Sequence, residues 1–207
     1  MSLKSNVNEL SAITDTNAST SLVCYQNGIL TSATKQEITG EGWTSLYVPI
    51  TAGKQNASAK PDFDYTNNGY SFDKNDETEI LYFIVSLPHS YKEGTNIYPY
   101  LHWQHASETP PYWGFSYRWY NQGATVPAFS TAEEINAIDF AFGEGVTTNN
   151  RTPFTVLSGT GKTVSSIIEI QLYRKDGNTP DAEVVATGLS LHYYADSLGS
   201  SAQFTKS

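Results

Sequence analysis

A single cysteine, Cys24, stands in 207 residues, so no internal disulfide can staple this chain, and it reads as a protein that folds in a reducing cytoplasm. No apolar run is long enough to cross a bilayer, and Met1 is followed by a polar segment instead of a charged and then apolar leader. The expectation is a soluble protein made in the cytoplasm, with no membrane partner. Basic residues are scarce: 12 Lys and Arg against 21 Asp and Glu leave a formal charge of -9. A chain that cannot set cations against phosphates gains little from a nucleic-acid backbone, so no nucleic-acid partner is expected. Charge of either sign is thin, at 16% of residues, while Tyr alone numbers 14. The surface must then be covered largely by Ser, Thr, Asn, Gln and Tyr, which suits contact with other proteins or with sugars.

What the chain does have is alternation. In IYPYLHW (97–103), Leu101 and Trp103 fall on one side and Tyr100 and His102 on the other. In WGFSYRWY (113–120), Trp113, Phe115, Tyr117 and Trp119 repeat the pattern. These segments predict two strands whose indoles lie in the core of an antiparallel sandwich. SLVCYQNGILTS holds Asn27-Gly28 between two short apolar runs, the preferred pair for a two-residue hairpin. TSLYVPI (44–50) reads as a strand, and residues 51–79, rich in Gly, Asn, Asp and Pro, as an irregular surface loop that meets a partner. EILYFIVSL (79–87) is apolar at both parities and predicts a central strand covered on both sides. IDFAFG (138–143), PFTVLS (153–158), VSSIIEIQLYR (164–174) and EVVATGLSLHYYA (183–195) supply four more strands. STAEEINA (130–137) reads as one short helix, with Thr131 and Glu134 spaced as a capping box. Residues 1–20 carry only Leu3, Val7, Leu10 and Ile13 as scattered apolar positions, too few to stand alone, and read as an arm ordered by a partner. The fold class is all-β: a jelly-roll-like antiparallel β-sandwich, residues 21–207 forming a single domain, with residues 1–20 as an N-terminal extended arm.

Motifs that suggest chemistry have plainer readings. GTGKT (159–163) resembles the end of a phosphate-binding loop, but Val156 stands where its first Gly belongs. The segment that follows puts Val164, Ser166, Ile168, Ile170 and Leu172 on one face at period two, a strand in place of the required helix. Gly159, Gly161 and Lys162 therefore read as a tight turn. His89, His102, His105 and His192 lack the spacing of a local metal site, and His102 and His192 read as hydrogen-bonded structural histidines whose strands pair. Asp62, Asp64, Asn67 and Asn68 read as an Asx-turn loop before a cation site. The carboxylates show no arrangement that marks a glycosidase pair, and no GxSxG or HExxH segment occurs, so neither catalytic residue, metal nor cofactor is expected. With the indoles assigned to the core, Tyr98, Tyr100, Tyr112 and Tyr120 remain to meet a partner.

The segments IYPYLHW, SYRWYNQG (116–123), GTGKTVSS (159–166) and HYYADSLGS (192–200) together resemble a family of tailed-bacteriophage structural proteins, over roughly residues 42 to 201. Members of that family carry IYPHLHW-like, EYRWANIG-like, GTGKTLSS-like and HYQIDSLGSRQ-like stretches. The chain departs from it at Tyr100, where a His is usual, at Tyr120 and Gln122, and at Ser200-Ser201. The resemblance implies a non-enzymatic virion structural protein. One compact sandwich with a short arm, no long fibrous or β-helical region and no hydrolase signature then favours, among virion locations, a capsid decoration or cement protein that stabilises the head, with the phage major capsid protein as partner. Cement proteins sit at local threefold positions, which implies a homotrimer. The alternative is a tail- or fibre-associated module that binds host surface glycan through exposed tyrosines.

Deleting residues 1–20 is expected to leave the sandwich folded and to weaken attachment to the particle. Equilibrium unfolding of the truncated chain, beside its binding to stripped particles, checks both parts.

Overall fold

The computed structural model describes residues 21–26, 29–34, 41–73, 76–105, 111–136, 145–175 and 184–196, and in it period-two alternation becomes two antiparallel sheets packed face to face. The first sheet is ordered β10 (Glu133–Asn136), β9 (Tyr112–Tyr120), β12 (Ile167–Arg174), β7 (Leu81–Ser86), β4 (Lys54–Gln55). The second is ordered β11 (Gly145–Pro153), β8 (Tyr98–His105), β13 (Val184–Ala195), β6 (Gly69–Phe72), β5 (Asp62–Asp64), and β3 (Gly42–Pro49) also pairs with β13. One edge of β13 is shared, with β6 along 184–186 and β3 along 188–195, while β8 covers the other edge. A separate hairpin joins β1 (Ser21–Gln26) and β2 (Ile29–Thr34), with Gln26 opposite Ile29 as the Asn-Gly signal predicts. The protein is a jelly-roll-like antiparallel β-sandwich. The expected arm, with Leu3, Val7, Leu10 and Ile13, lies outside the described residues, as does IDFAFG.

The inner faces hold the predicted indoles. Trp103, Trp113 and Trp119 are buried with Leu101 and Phe115, and Tyr117 packs against them. Trp103 on β8 and Trp113 on β9 meet across the sheets with ring centroids 6.5 Å apart, and Phe72 stands perpendicular to Trp113 at 5.6 Å. A buried indole N–H must find an acceptor: Trp103 donates to Thr152 Oγ1 at 2.9 Å and Trp119 to Ser166 Oγ at 2.8 Å. Arg174, at the end of β12, is buried and donates to the Phe72 carbonyl of the opposite sheet at 2.9 Å. Its desolvation lowers its pKa to about 10, with the charges of Asp73 and Glu79 acting the other way.

Four expectations are corrected. STAEEINA is not a helix: β10 pairs with β9, Ile135 packs on the core, and Glu134 binds Lys175 at 3.0 Å instead of capping a helix end. Two helical turns cannot hold themselves, whereas the edge of β9 offers a row of unpaired backbone groups. The β7 run is not covered on both sides; Leu81, Phe83 and Val85 point inward, but Ile84 is 72% exposed. Two layers leave every strand one outer face, and a β-branched residue there satisfies strand preference without burial. PFTVLS is no strand. The ladder runs through β11 instead, and Phe154 stacks on Phe115 at 4.4 Å. The stretch 51–79 is not simply loop, since β4, β5 and β6 lie in it and Phe72 is buried. Its tip is an Asx turn as read: Asp64 Oδ1 accepts from the Thr66 and Asn67 amides, and hydrogen bonding from the Asn67 side chain lowers the Asp64 pKa against some burial. The GTGKT turn is also as read, with Gly161 at φ 71 and the Lys162 ammonium donating to the Trp119 carbonyl at 2.7 Å.

Trp103→Ala and Trp119→Ala are each expected to destabilise the fold by about 3 to 5 kcal/mol, and Ile84→Thr to change it by less than about 0.5 kcal/mol. Urea unfolding of the three variants checks this difference.

Candidate functional site

Register decides what gathers on the outer face of the second sheet. With Leu189, Leu191 and Tyr193 of β13 turned inward, Ser190, His192 and Tyr194 point out. Ladder pairing sets Tyr194 beside Trp43, His192 beside Ser45 and Ser190 beside Tyr47 on β3. On the other edge it sets His192 beside Tyr98 and Ser190 beside Tyr100, with His102 opposite Gly188. Arg151 of β11 completes the row next to His102. The result is a continuous face of aromatic and imidazole rings across four strands. Trp43 is 62% exposed, Tyr47 55% and Tyr98 39%, values far from those of the core indoles.

These rings are held. Trp43 stands perpendicular to both Tyr98, at 5.3 Å, and Tyr194, at 5.6 Å. The Tyr47 ring lies over Gly188, where a Cβ would come within 2.6 Å of three of its atoms, and its hydroxyl donates to the Thr187 carbonyl at 3.2 Å. Glycine is therefore required at 188 for the ring to settle on the backbone. Tyr100 Oη and His192 Nε2 share a hydrogen bond at 2.5 Å, and His102 Nε2 shares one with Ser190 Oγ at 3.1 Å. The Arg151 guanidinium lies 5.1 Å from the Tyr100 ring centre. Burial, and next the Arg151 charge, hold both imidazoles below their ordinary value of 6.5; His192 adds to the effect on His102 and the Asn149 contact opposes it. At neutral pH the face therefore carries neutral imidazoles with Arg151 as its cation.

At one end the face carries a shallow, open cleft of about 370 Å³, lined by Trp43, Tyr98 and Tyr194 with Lys92, Gly94, Thr95 and Asn96 from the connection before β8. Buried Tyr91 shapes that connection by donating its hydroxyl to the Thr95 carbonyl.

The four tyrosines expected to meet a partner are split. Tyr98 and Tyr100 belong to this face, whereas Tyr112 and Tyr120 alternate outward from β9, on the far side of the sandwich. There the Tyr120 hydroxyl donates to Glu169 Oε1 at 2.5 Å and Arg118 binds Glu169 Oε2 at 2.5 Å. Burial opposes ionisation of Glu169, but these bonds and the Arg118 charge outweigh it and hold the carboxyl below its usual range. Trp43, Tyr47, Lys92 and Tyr194 were not singled out by the sequence reading. A signal for two of them exists in GWTSLYVP, where Trp43 and Tyr47 share a parity opposite to that of Leu46 and Val48. Among the described residues, no three His, Cys, Asp or Glu side chains converge as a metal set, and no helix is long and apolar enough to cross a membrane.

No protein-family model matches the sequence, and no curated protein does. Among solved structures the chain is similar to the xylan-binding module CBM15, at 12% identity over 73% of this chain and 97% of that one, with a TM-score of 0.43. It is similar to the CBM36-1 domain of a multidomain xylanase from the hindgut metagenome of Trinervitermes trinervoides, at 11% identity over 72% and 96% of the two chains, with a TM-score of 0.40. A third similarity is to infectious bursal disease virus Gt strain, at 11% identity over 86% of this chain and 42% of that one, with a TM-score of 0.34. Identities this low extend to the sandwich alone.

Because both imidazoles titrate below 6.5 in the fold, the unfolded chain takes up their protons first as the pH falls. The stability they contribute is therefore full above 6.5 and is lost as the pH drops through that value towards the lower native ones. His102→Gln and His192→Gln are each expected to flatten the dependence of the urea midpoint on pH between 7.5 and 5.5, a range chosen to lie above ordinary carboxylate titration.

Proposed function

We propose that this chain is a non-enzymatic structural protein of a tailed-phage particle that attaches through the outer aromatic face of its second sheet, decorating the head as a cement against the major capsid protein. The observation that carries the proposal is the exposure of Trp43, Tyr47 and Tyr98 on rigid strands beside His102, His192 and Tyr194. A contiguous exposed aromatic patch marks a macromolecular contact, because large flat rings bury much area at little entropic cost and keep a polar handle. Attachment fits this face better than chemistry does: its histidines are engaged by Tyr100 and Ser190, and no Asp or Glu occupies the outward positions of the four strands. The phage assignment rests on the segment resemblance, and trimerisation on the threefold sites such proteins occupy.

A second reading, a tail- or fibre-associated module that binds host surface glycan, is favoured by the cleft at Trp43, whose aromatic walls stand beside polar Lys92, Thr95 and Asn96.

The cement reading is tested on purified particles. On the order of hundreds of copies per particle are expected, in keeping with repeated threefold sites, with DNA released at a lower temperature from particles stripped of the protein. Adding back the native chain should restore the release temperature, and the Trp43→Ala, Tyr47→Ala double variant should not. An unchanged release temperature together with lost host adsorption would replace the cement by the tail module.

A further inference from the structure

The cleft beside Trp43 has a chemistry more specific than a flat contact face. Its three rings form a corner: the planes of Tyr98 and Tyr194 lie at 75° and 88° to that of Trp43, so the walls meet at an angle instead of stacking on one another. The cleft, of about 370 Å³, is shallow and open to solvent, so a ligand would lie against this corner instead of being enclosed by it. Among the described residues, the Trp43 indole N–H and the hydroxyls of Tyr98 and Tyr194 have no protein hydrogen-bond partner, nor does the Asn96 amide nitrogen. Asn96 Oδ1 accepts from the Gly159 amide at 3.2 Å, which fixes the side chain without using its donors. Polar groups held in place and left open beside aromatic walls suit a ligand with apolar ring faces and a rim of hydroxyls.

Charge narrows the class. Among the described residues Lys92 is the only charged lining residue, and its ammonium lies 5.1 Å from the centre of the Tyr194 ring. Acids outnumber bases in this chain by 21 to 12, yet Lys92 makes no ion pair among the described residues. The adjacent Glu93 is turned away and accepts from the Val164 amide at 2.9 Å. Further along the face the next cation is Arg151, and no carboxylate occupies the outward positions between them. On a protein of net charge -9 this stretch is a local positive track, laid over rings. Tyr98 and His102, four residues apart on β8, are separated by ~13 Å of extended strand. That span accommodates more than one sugar residue along β8 from the corner to His102, beside which Arg151 is paired.

We infer that the cleft binds a carboxylate-bearing pyranose of an acidic polysaccharide, its ring in the corner of Trp43, Tyr98 and Tyr194 and its carboxylate on Lys92, with the saccharide continuing over Tyr100 towards Arg151. The inference rests on the second reading, in which this end of the face meets host surface glycan, and it names the ligand class. A nucleotide fits less well: its phosphates would meet one lysine and no guanidinium in the cleft.

The test titrates the full-length protein, by tryptophan fluorescence and calorimetry, with oligogalacturonate and with its fully methyl-esterified form, which keeps the ring and removes the charge. A second pair, sialyllactose against lactose, covers the other common source of a sugar carboxylate. In at least one pair the acid is expected to bind about three- to fivefold more tightly than its neutral counterpart, the scale of a partly exposed ion pair, and this preference should fade with added salt. Lys92→Gln should abolish the preference and keep the weaker neutral binding, while Trp43→Ala should lose both ligands with an unchanged unfolding midpoint. Equal binding of acid and neutral forms, a preference that survives Lys92→Gln, or no binding in either pair would overturn the inference. Host adsorption of particles carrying Trp43→Ala is measured in parallel: if it stays complete, the glycan-binding reading of this face itself fails, and if it is lost while no glycan binds, only the ligand class does.

Discussion

The register of β13 between its neighbours is the constraint on which the rest of this structure depends. This twelve-residue strand has β8 along one edge and β6 followed by β3 along the other, so it sets the parity of half the sandwich. Leu189, Leu191 and Tyr193 are buried only because the ladder holds them on the inner parity, and the same ladder turns His192 and Tyr194 towards solvent, with Ser190 covered on that face by its neighbours. A slip of one residue would exchange these sets, which makes the alternative registers very unfavourable. The shift between Ala186 and Gly188 lets the strand change partner on one edge while keeping both halves in phase with the core.

The two outer faces show different solutions to the same exposure. On the first sheet, Arg118, Glu169 and Tyr120 satisfy one another, and Lys175 bridges Glu77 and Glu134 at 2.8 and 3.0 Å. Polar side chains there are spent within the protein. On the second sheet, hydrogen bonds hold rings in position, as between Tyr100 and His192 and between His102 and Ser190, and Trp43, Tyr47 and Tyr98 stay exposed. Exposed aromatic area is unfavourable in water unless a partner covers it, so the difference between the faces points to where such a partner binds.

Much of the fold was legible from local pattern. The burial of Leu101 and Trp103, of Trp113, Phe115 and Trp119, and of Ile168, Ile170 and Leu172 follows from period two alone. The strand expected from residue 164, however, begins at Ile167, and Val164 and Ser166 are buried from the turn before it, where Ser165 has φ 59. The misread stretches are those where local pattern and tertiary opportunity conflict. Glu133–Asn136 has the composition of a helix start but lies against an open strand edge, and the run from Leu81 to Val85 is apolar at both parities although a two-layer fold can cover only one side of it. Of the candidate site, Tyr98 and Tyr100 were visible as the tyrosines left over from the core, while Trp43 was obscured because a lone tryptophan reads as core as readily as surface.

What the amino-acid sequence determined by itself is the class and the parity: an all-β chain with no internal disulfide, whose indoles on β8 and β9 belong inside. Those properties depend on neighbours two residues apart, which the linear order contains. Only the tertiary structure decided which outward residues would meet. Trp43, Tyr98 and Tyr194 converge because β3, β8 and β13 are joined by backbone hydrogen bonds across gaps of 55 and 96 residues, counted from 43 to 98 and from 98 to 194. No local spacing encodes that convergence. It is fixed when the inner faces pack and the strands find their partners, and the aromatic face and its cleft follow as the outward side of that packing.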